Sequence, residues 1–171
     1  MVNKTPDLKI FKAHPQGALP EFATKQSACF DLMLQIGWNR TYKGYNQYGK
    51  AFERPFSDNQ LFIGAGERVA VPTGLIFDIP EGFSVRIHPR SGLSFKQGLG
   101  LANAEGVIDA DYIQEVYVIL INSSEGGWFV KNGDRIAQAE LVKNLNYNFV
   151  EIPNPPEQKG NRKGGLGSTG T

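Results

Sequence analysis

Two carboxylates separated by a single alanine, Asp109 and Asp111, lie in GVIDADY (106–112), with Tyr112 directly behind them. In an extended segment side chains two positions apart leave from the same face, so these acids would share one. Placed beside a substrate, such a carboxylate can orient a water and take its proton; placed at the end of a strand, it is a solvated turn acid. A second segment, PRSGLS (89–94), offers a guanidinium, a hydroxyl and exposed amides, which are donors suited to phosphate oxygens. ACFDL (28–32) and GDRIAQ (133–138) each carry polar groups within strand-like apolar runs. GGLGSTG (164–170) adds hydroxyls on a backbone that can approach a ligand closely.

The elements that must hold these groups read as strands. Glycine (20) and proline (10) punctuate short apolar runs, and no long stretch keeps a helical period. Candidate strands cover 8–12, 27–34, 67–72, 73–80, 83–89, 115–122, 127–131, 135–142 and 147–152. The best place for a short helix is SGLSFKQ (91–97), where Ser91 is a candidate cap behind Pro89. The fold class expected is all-β, a sandwich, barrel or jelly roll.

Composition narrows the partners. With 171 residues the chain fits one domain, and its net charge of +1 gives no global reason to bind nucleic acid or a membrane surface. The single Cys29 excludes an internal disulfide framework and any Cys-x-x-Cys zinc site. His14 and His88 are far apart in sequence and are read as structural or solvated. No apolar run approaches the length of a membrane span, and the first residues lack an apolar leader core, so a cytoplasmic protein is expected, in the host cytoplasm if the chain is viral.

Two regions depart from the strand-and-turn pattern. Residues 38–62 hold seven aromatics, four basic residues and two acids, and are read as a surface excursion whose aromatics cover one another; a stacking surface is the other reading. Residues 153–171 turn to proline and then glycine, a flexible tail following a single domain over 1–152.

The five chemical segments, in this order, closely resemble the homotrimeric deoxyuridine triphosphatases, the trimeric dUTPases, over nearly the whole chain apart from the aromatic excursion. The resemblance implies a distorted β jelly-roll barrel with one short helix, in a homotrimer whose three active sites are shared between subunits. It implies hydrolysis of dUTP to dUMP and pyrophosphate with Mg²⁺ on the triphosphate, which limits uracil in DNA and supplies dUMP for thymidylate synthesis. By similarity Asp109 activates the water that attacks the α-phosphorus, and Tyr112 packs beneath the deoxyribose. Uracil would meet main-chain groups of a hairpin from about Leu99 through Asp109, including Gly106, Val107 and Ile108, with Asn103 and Tyr117 contributing. Arg90, Ser91, Gly92 and Gln138 would contact phosphates. Asp31 would reach magnesium through water, since Mg²⁺ commonly keeps several of its waters. Asp134 and Arg135 would hold strands or subunits together.

The tail departs from the family pattern. Leu166 stands where the family has a uracil-stacking phenylalanine, and Asn161 occupies the position of its arginine. Arg162 and Lys163 are therefore the candidates for the γ-phosphate, with Gly167, Ser168 and Thr169 closing beside them. Cys29 replaces a usual glycine, and Gln114 another. Two alternatives share the fold. A dCTP deaminase-like enzyme would need Glu105 or Glu115 to activate water at the base. A regulatory dUTPase-like protein would use the 38–62 insertion to bind a protein partner, and removal of that insertion is expected to spare hydrolysis.

Overall fold

Alternation of buried and exposed side chains runs through most of the longer strands, the signature of sheets with one face on a core. The computed structural model describes residues 5–15 and 17–161, and among these it forms thirteen strands and one helix. The strands are β1 (Lys9–Lys12), β2 (Phe30–Met33), β3 (Thr41–Tyr45), β4 (Ala51–Pro55), β5 (Gln60–Ile63), β6 (Arg68–Pro72) and β7 (Leu75–Asp78). They continue with β8 (Phe83–His88), then helix α1 (Ser91–Gln97), β9 (Leu99–Leu101), β10 (Gly106–Ile108), β11 (Tyr117–Asn122), β12 (Trp128–Lys131) and β13 (Arg135–Lys143).

Two larger sheets carry the fold. One has the order β10-β8-β13-β2 and the other β4-β3-β6-β11-β9; the pairs β1-β7 and β12-β5 complete the set. Every strand pairing is antiparallel. Between the sheets lies a continuous apolar core. Leu32, Val85, Ile87 and Ala139 come from the first sheet, Val69, Val71, Val118 and Leu120 from the second, and Leu61, Ile63 and Val130 from the β12-β5 pair. The all-β jelly-roll expectation, with one short helix, is met.

Several local features differ from the sequence reading. Residues 147–152 form no strand, because β13 leaves the sheet at Lys143 and Asn144 turns away, donating its amide to Gly82 O. The apolar side chains beyond it stay in solvent, Phe149 at 91% exposure. Helix α1 begins at Ser91 itself, with Arg90 in the cap position and no side-chain cap bond. It ends at Gly98, whose φ of 67° is the left-handed conformation a helix C-terminus uses. The aromatic region is built into the fold: β3 and β4 form a hairpin, and β3 also pairs with β6. Tyr42 is buried there, packing against Phe52 and Phe56 and bonding both the amide and the carbonyl of Phe62.

Candidate active site

Asp31, Arg90, Ser91, Gly92 and Gln138 line one cleft of about 340 Å³, together with Arg135 and Cys29. Four elements bring them together. The register of the first sheet sets Asp31 on β2 opposite Gln138 on β13, and Gln138 opposite His88 on β8. The chain then passes Pro89 and delivers Arg90, Ser91 and Gly92 at the opening of α1. The first amides of a helix lack acceptors within it, so those of Ser91 and Gly92 are open to a ligand. Nothing lies within 4 Å of where a Cβ on Gly92 would sit.

Opposite charges order the cleft. Arg90 Nε lies 3.1 Å from Asp31 Oδ1, and an Arg135 guanidinium nitrogen lies 3.1 Å from Asp31 Oδ2. Arg90 also donates to the Arg135 carbonyl at 3.0 Å, while the Gln138 amide nitrogen donates to Pro89 O at 3.0 Å. Two guanidiniums against one carboxylate leave a net positive cleft lined with N–H groups, suited to a polyanion.

Arg135, expected only to hold strands or subunits together, also lines this cleft. Strict alternation would put positions 135 and 138 on opposite faces of β13. A β-bulge intervenes, because Arg135 pairs with Met33 while Ala137 already pairs with Leu32, so two residues of β13 pass one of β2. The bulge returns Arg135 to the face of Gln138. Asp134 closes the turn between β12 and β13, accepting the Lys131 amide at 2.8 Å.

The second group of expected residues stands apart from this cleft. Ile108 pairs with Val85, three positions along β8 from His88, and β10 lies two strands from β13. The backbone before Asp109 is therefore roughly 14 Å from that at Gln138, from about 10 Å along the strands and about 10 Å across them. Asp109 and Asp111 are exposed in the turn after β10, closed by the Tyr112 amide donating to Asp109 O at 3.1 Å. The Tyr112 hydroxyl donates to Glu115 O at 2.9 Å, which fixes its ring at the surface.

The expected hairpin does not pair strand to strand. β9 joins β11 in the second sheet, whereas β10 joins β8 in the first. Their connecting turn presents Asn103 and puts Ala104 at a φ of 60°. Gly106 lies against Ile87, where an added Cβ would approach the Ile87 Cβ to 3.0 Å. Tyr117 opens β11, and its hydroxyl donates to Glu115 Oε2 at 3.2 Å. Burial, and then the Glu115 carboxylate beside it, push the Tyr117 phenol up. Glu115 Oε1 also accepts the Gly74 amide at 2.9 Å, and Glu105 pairs with Arg86 at 3.2 Å. Arg162, Lys163, Leu166, Gly167, Ser168 and Thr169 lie outside the described residues.

Among the described residues no helix is long and apolar enough to cross a membrane. The chain is similar in sequence to the deoxyuridine 5'-triphosphate nucleotidohydrolase of Nautilia profundicola, 35% identical over 163 residues that cover 95% of this chain and 98% of the relative. In fold it is similar to the dUTPase of Staphylococcus bacteriophage 80alpha solved with dUPNHPP. There the TM-score is 0.75 at 20% identity, over 98% of this chain and 100% of the phage protein. A mutant dUTPase of phage phi11, described with a structural Mg(II) ion, superposes at a TM-score of 0.67 and 18% identity, over 87% of this chain and 98% of that one. A sequence model of the dUTPase family matches residues 56–170. The chain belongs to the dUTPase family.

Proposed function

We propose that this chain hydrolyses dUTP to dUMP and pyrophosphate at a site that two or more copies assemble, each giving a different part. The observation that carries this reading is the division of the site across the first sheet. The cationic cleft of Asp31, Arg90, Arg135 and Gln138 lies at one end and the Asp109 turn at the other. A general base acts only within hydrogen-bond reach of the water it deprotonates. A separation of roughly 14 Å between the two backbones exceeds that reach, so the Asp109 turn serves a cleft on a neighbouring copy. A homotrimer closes such a head-to-tail exchange with three equivalent sites.

In that site Arg90, Arg135 and the amides of Ser91 and Gly92 neutralise and align the triphosphate, and Gln138 turns its amide to the α-phosphate. Asp109 of the neighbouring copy takes the proton of the attacking water. Tyr112, its hydroxyl held by Glu115 O, presents a flat face on which a deoxyribose fits and a 2′-hydroxyl does not. The turn at Asn103, with the backbone of Gly106, Val107, Ile108 and Tyr117, reads uracil by main-chain donors and acceptors. A cytosine would leave some of these unpaired. Arg162 and Lys163 serve the γ-phosphate, and Leu166, Gly167, Ser168 and Thr169 close over the base.

Magnesium suits this donor set as an ion carried by the triphosphate. Both Asp31 oxygens are already engaged by guanidiniums, so the carboxylate has room for a water-mediated contact and not for a direct chelate. When bound, the ion supplies charge neutralisation on the phosphate oxygens.

Deamination of dCTP fits less well. Glu115 is committed to the Gly74 amide and the Tyr117 hydroxyl, and Glu105 to Arg86. Pyrophosphate release measured across dUTP, UTP, dTTP and dCTP tests base, sugar and reaction together. Selective release from dUTP supports the proposal, and ammonia release from dCTP refutes it.

A further inference from the structure

The polar face of the first sheet continues past the phosphate cleft into a cluster that the hydrolytic reading leaves unused. Cys29, immediately before β2, His88 at the end of β8 and Glu140 in the middle of β13 each present one ligand atom, and these atoms all lie within 4.8 Å of one another. The register explains the convergence. His88 lies opposite Gln138, and Phe30 opposite Ala139, so Glu140 leaves from the same face as His88 and comes level with Cys29. All three residues are half-buried.

We propose that Cys29, His88 and Glu140 form a binding site for a thiophilic divalent cation, zinc by preference. His88 Nε2 already lies 3.1 Å from Glu140 Oε1. Tetrahedral zinc with thiolate, imidazole and carboxylate ligands sets its ligand atoms about 3.3–3.7 Å apart, so closure needs side-chain shifts on the order of 1 Å. A thiolate beside an imidazole favours zinc over magnesium or calcium, which take oxygen ligands. The outer shell is also present. Glu105 Oε1 faces the other imidazole nitrogen, Nδ1, at 3.7 Å, and Arg86 anchors Glu105 at 3.2 Å. A carboxylate behind a metal-bound histidine fixes its tautomer and raises its basicity.

Burial and then the neighbouring Glu140 carboxylate push the Cys29 thiol up. Zinc binding forms the Zn–S bond as the S–H proton passes to solvent. The fourth position remains for water. Because Cys29 also lines the phosphate cleft, the cation sits in the wall of that cleft, beside Asp31 and separate from the Mg²⁺ carried by substrate.

The test is a cobalt titration of the full-length, untagged, assembled protein after chelator treatment, read by absorption and followed by displacement with zinc. The expected result is one equivalent per chain, with a thiolate-to-cobalt charge-transfer band and the visible bands of a tetrahedral ion. The thiolate band disappears in Cys29→Ser, and affinity falls at least tenfold in Glu140→Gln and His88→Gln. Asp31→Asn keeps the full spectrum. Absence of the thiolate band from the unmodified protein overturns the proposal, whatever the variants do. So does cobalt affinity unchanged in both His88→Gln and Glu140→Gln, or loss of the band in a folded Asp31→Asn.

Discussion

Arg135 and Asp31 meet at 3.1 Å because a β-bulge in β13 turns Arg135 onto the face that carries Gln138. The contact pairs a carboxylate of the cleft with a guanidinium that regular alternation would have sent to the opposite face of the strand. Arg135 thus serves the cleft twice, by orienting Asp31 and by adding positive charge where a triphosphate would lie. Arg135→Gln keeps a donor but loses the charge. We expect kcat/KM for dUTP to fall about 10- to 100-fold, equivalent to about 1.4–2.7 kcal/mol. Steady-state pyrophosphate release checks this, and a value within twofold of the parent protein would remove Arg135 from the site.

That bulge also marks what the sequence could and could not disclose. Asp31, Arg90, Ser91, Gly92 and Gln138, grouped in the sequence only by resemblance, line one cleft because the register of β2, β13 and β8 and the Pro89 exit of β8 bring them there. The place of Arg135 depends on one extra residue in a pairing between distant strands, and no short-range pattern signals it. The segment 147–152 shows the opposite failure. Its alternating aromatics look like a strand, but a strand exists only where an edge is offered to it, and β13 has already left the sheet at Lys143. The Cys29, His88 and Glu140 cluster was equally hidden, since the three residues are far apart in the chain and meet only through the register of β2, β13 and β8.

Asp109 presents its carboxylate from an exposed turn, with only its backbone carbonyl committed, to the Tyr112 amide. Asp109→Asn preserves the shape and the turn bond but cannot accept a proton from water. Turnover of dUTP is expected to fall by about 10²–10⁴-fold, the usual contribution of a general base, while dUTP affinity stays close to that of the parent. Calorimetric titration with a non-hydrolysable dUTP analogue, set beside single-turnover rates, separates the two effects. Loss of binding with the residual rate unchanged would move Asp109 from proton transfer to substrate positioning.

The β3–β4 hairpin is tied to the body by an ion pair with a pH signature. Arg54 binds Glu67 through two parallel bonds of 2.7 and 2.6 Å, and the Gly64 amide donates to Glu67 Oε2 at 2.8 Å. The Arg54 hydrogen bonds first, and then the Gly64 amide, hold the carboxyl below its ordinary value of 4.5, against the opposing effect of burial. A carboxyl depressed in the folded state adds stability that is fully present above its unfolded pKa and is lost as pH falls through its folded one. Arg54 keeps a solvent-facing side, with 37% of its side chain exposed, so the contribution is at the low end for a charge-assisted pair, about 1–2 kcal/mol. Glu67→Gln should lower Tm by about 2–8 °C at neutral pH. The difference from the parent should shrink to nothing below the folded pKa of Glu67, and a constant difference down to strongly acid pH would contradict this origin.

The aromatic segment divides into a part the fold needs and a part it does not. Leu61 and Ile63, at 1% and 0% exposure, belong to β5 and fill the core beneath β12, and Tyr42 seals the β3–β4 hairpin onto Phe62. Removing 38–62 as a block would take Leu61 out of the core, at about 2–5 kcal/mol for a buried leucine, and would unpair β5 from β12 as well. That deletion is expected to give insoluble or unfolded chain. The tip is different: Tyr48 is exposed, an added Cβ at Gly49 would meet nothing within 4 Å, and the turn is closed by Asn46 through its own side chain and carbonyl. Replacing 47–49 with a two-residue type I′ turn, Asn-Gly, should retain soluble protein and leave dUTP hydrolysis within about threefold, well under 1.4 kcal/mol of barrier. Circular dichroism and pyrophosphate release on both variants check the division. A folded, active 38–62 deletion would show that β5 is dispensable, and a tip variant that folds but has lost activity would place the hairpin tip in the catalytic site of a neighbouring copy.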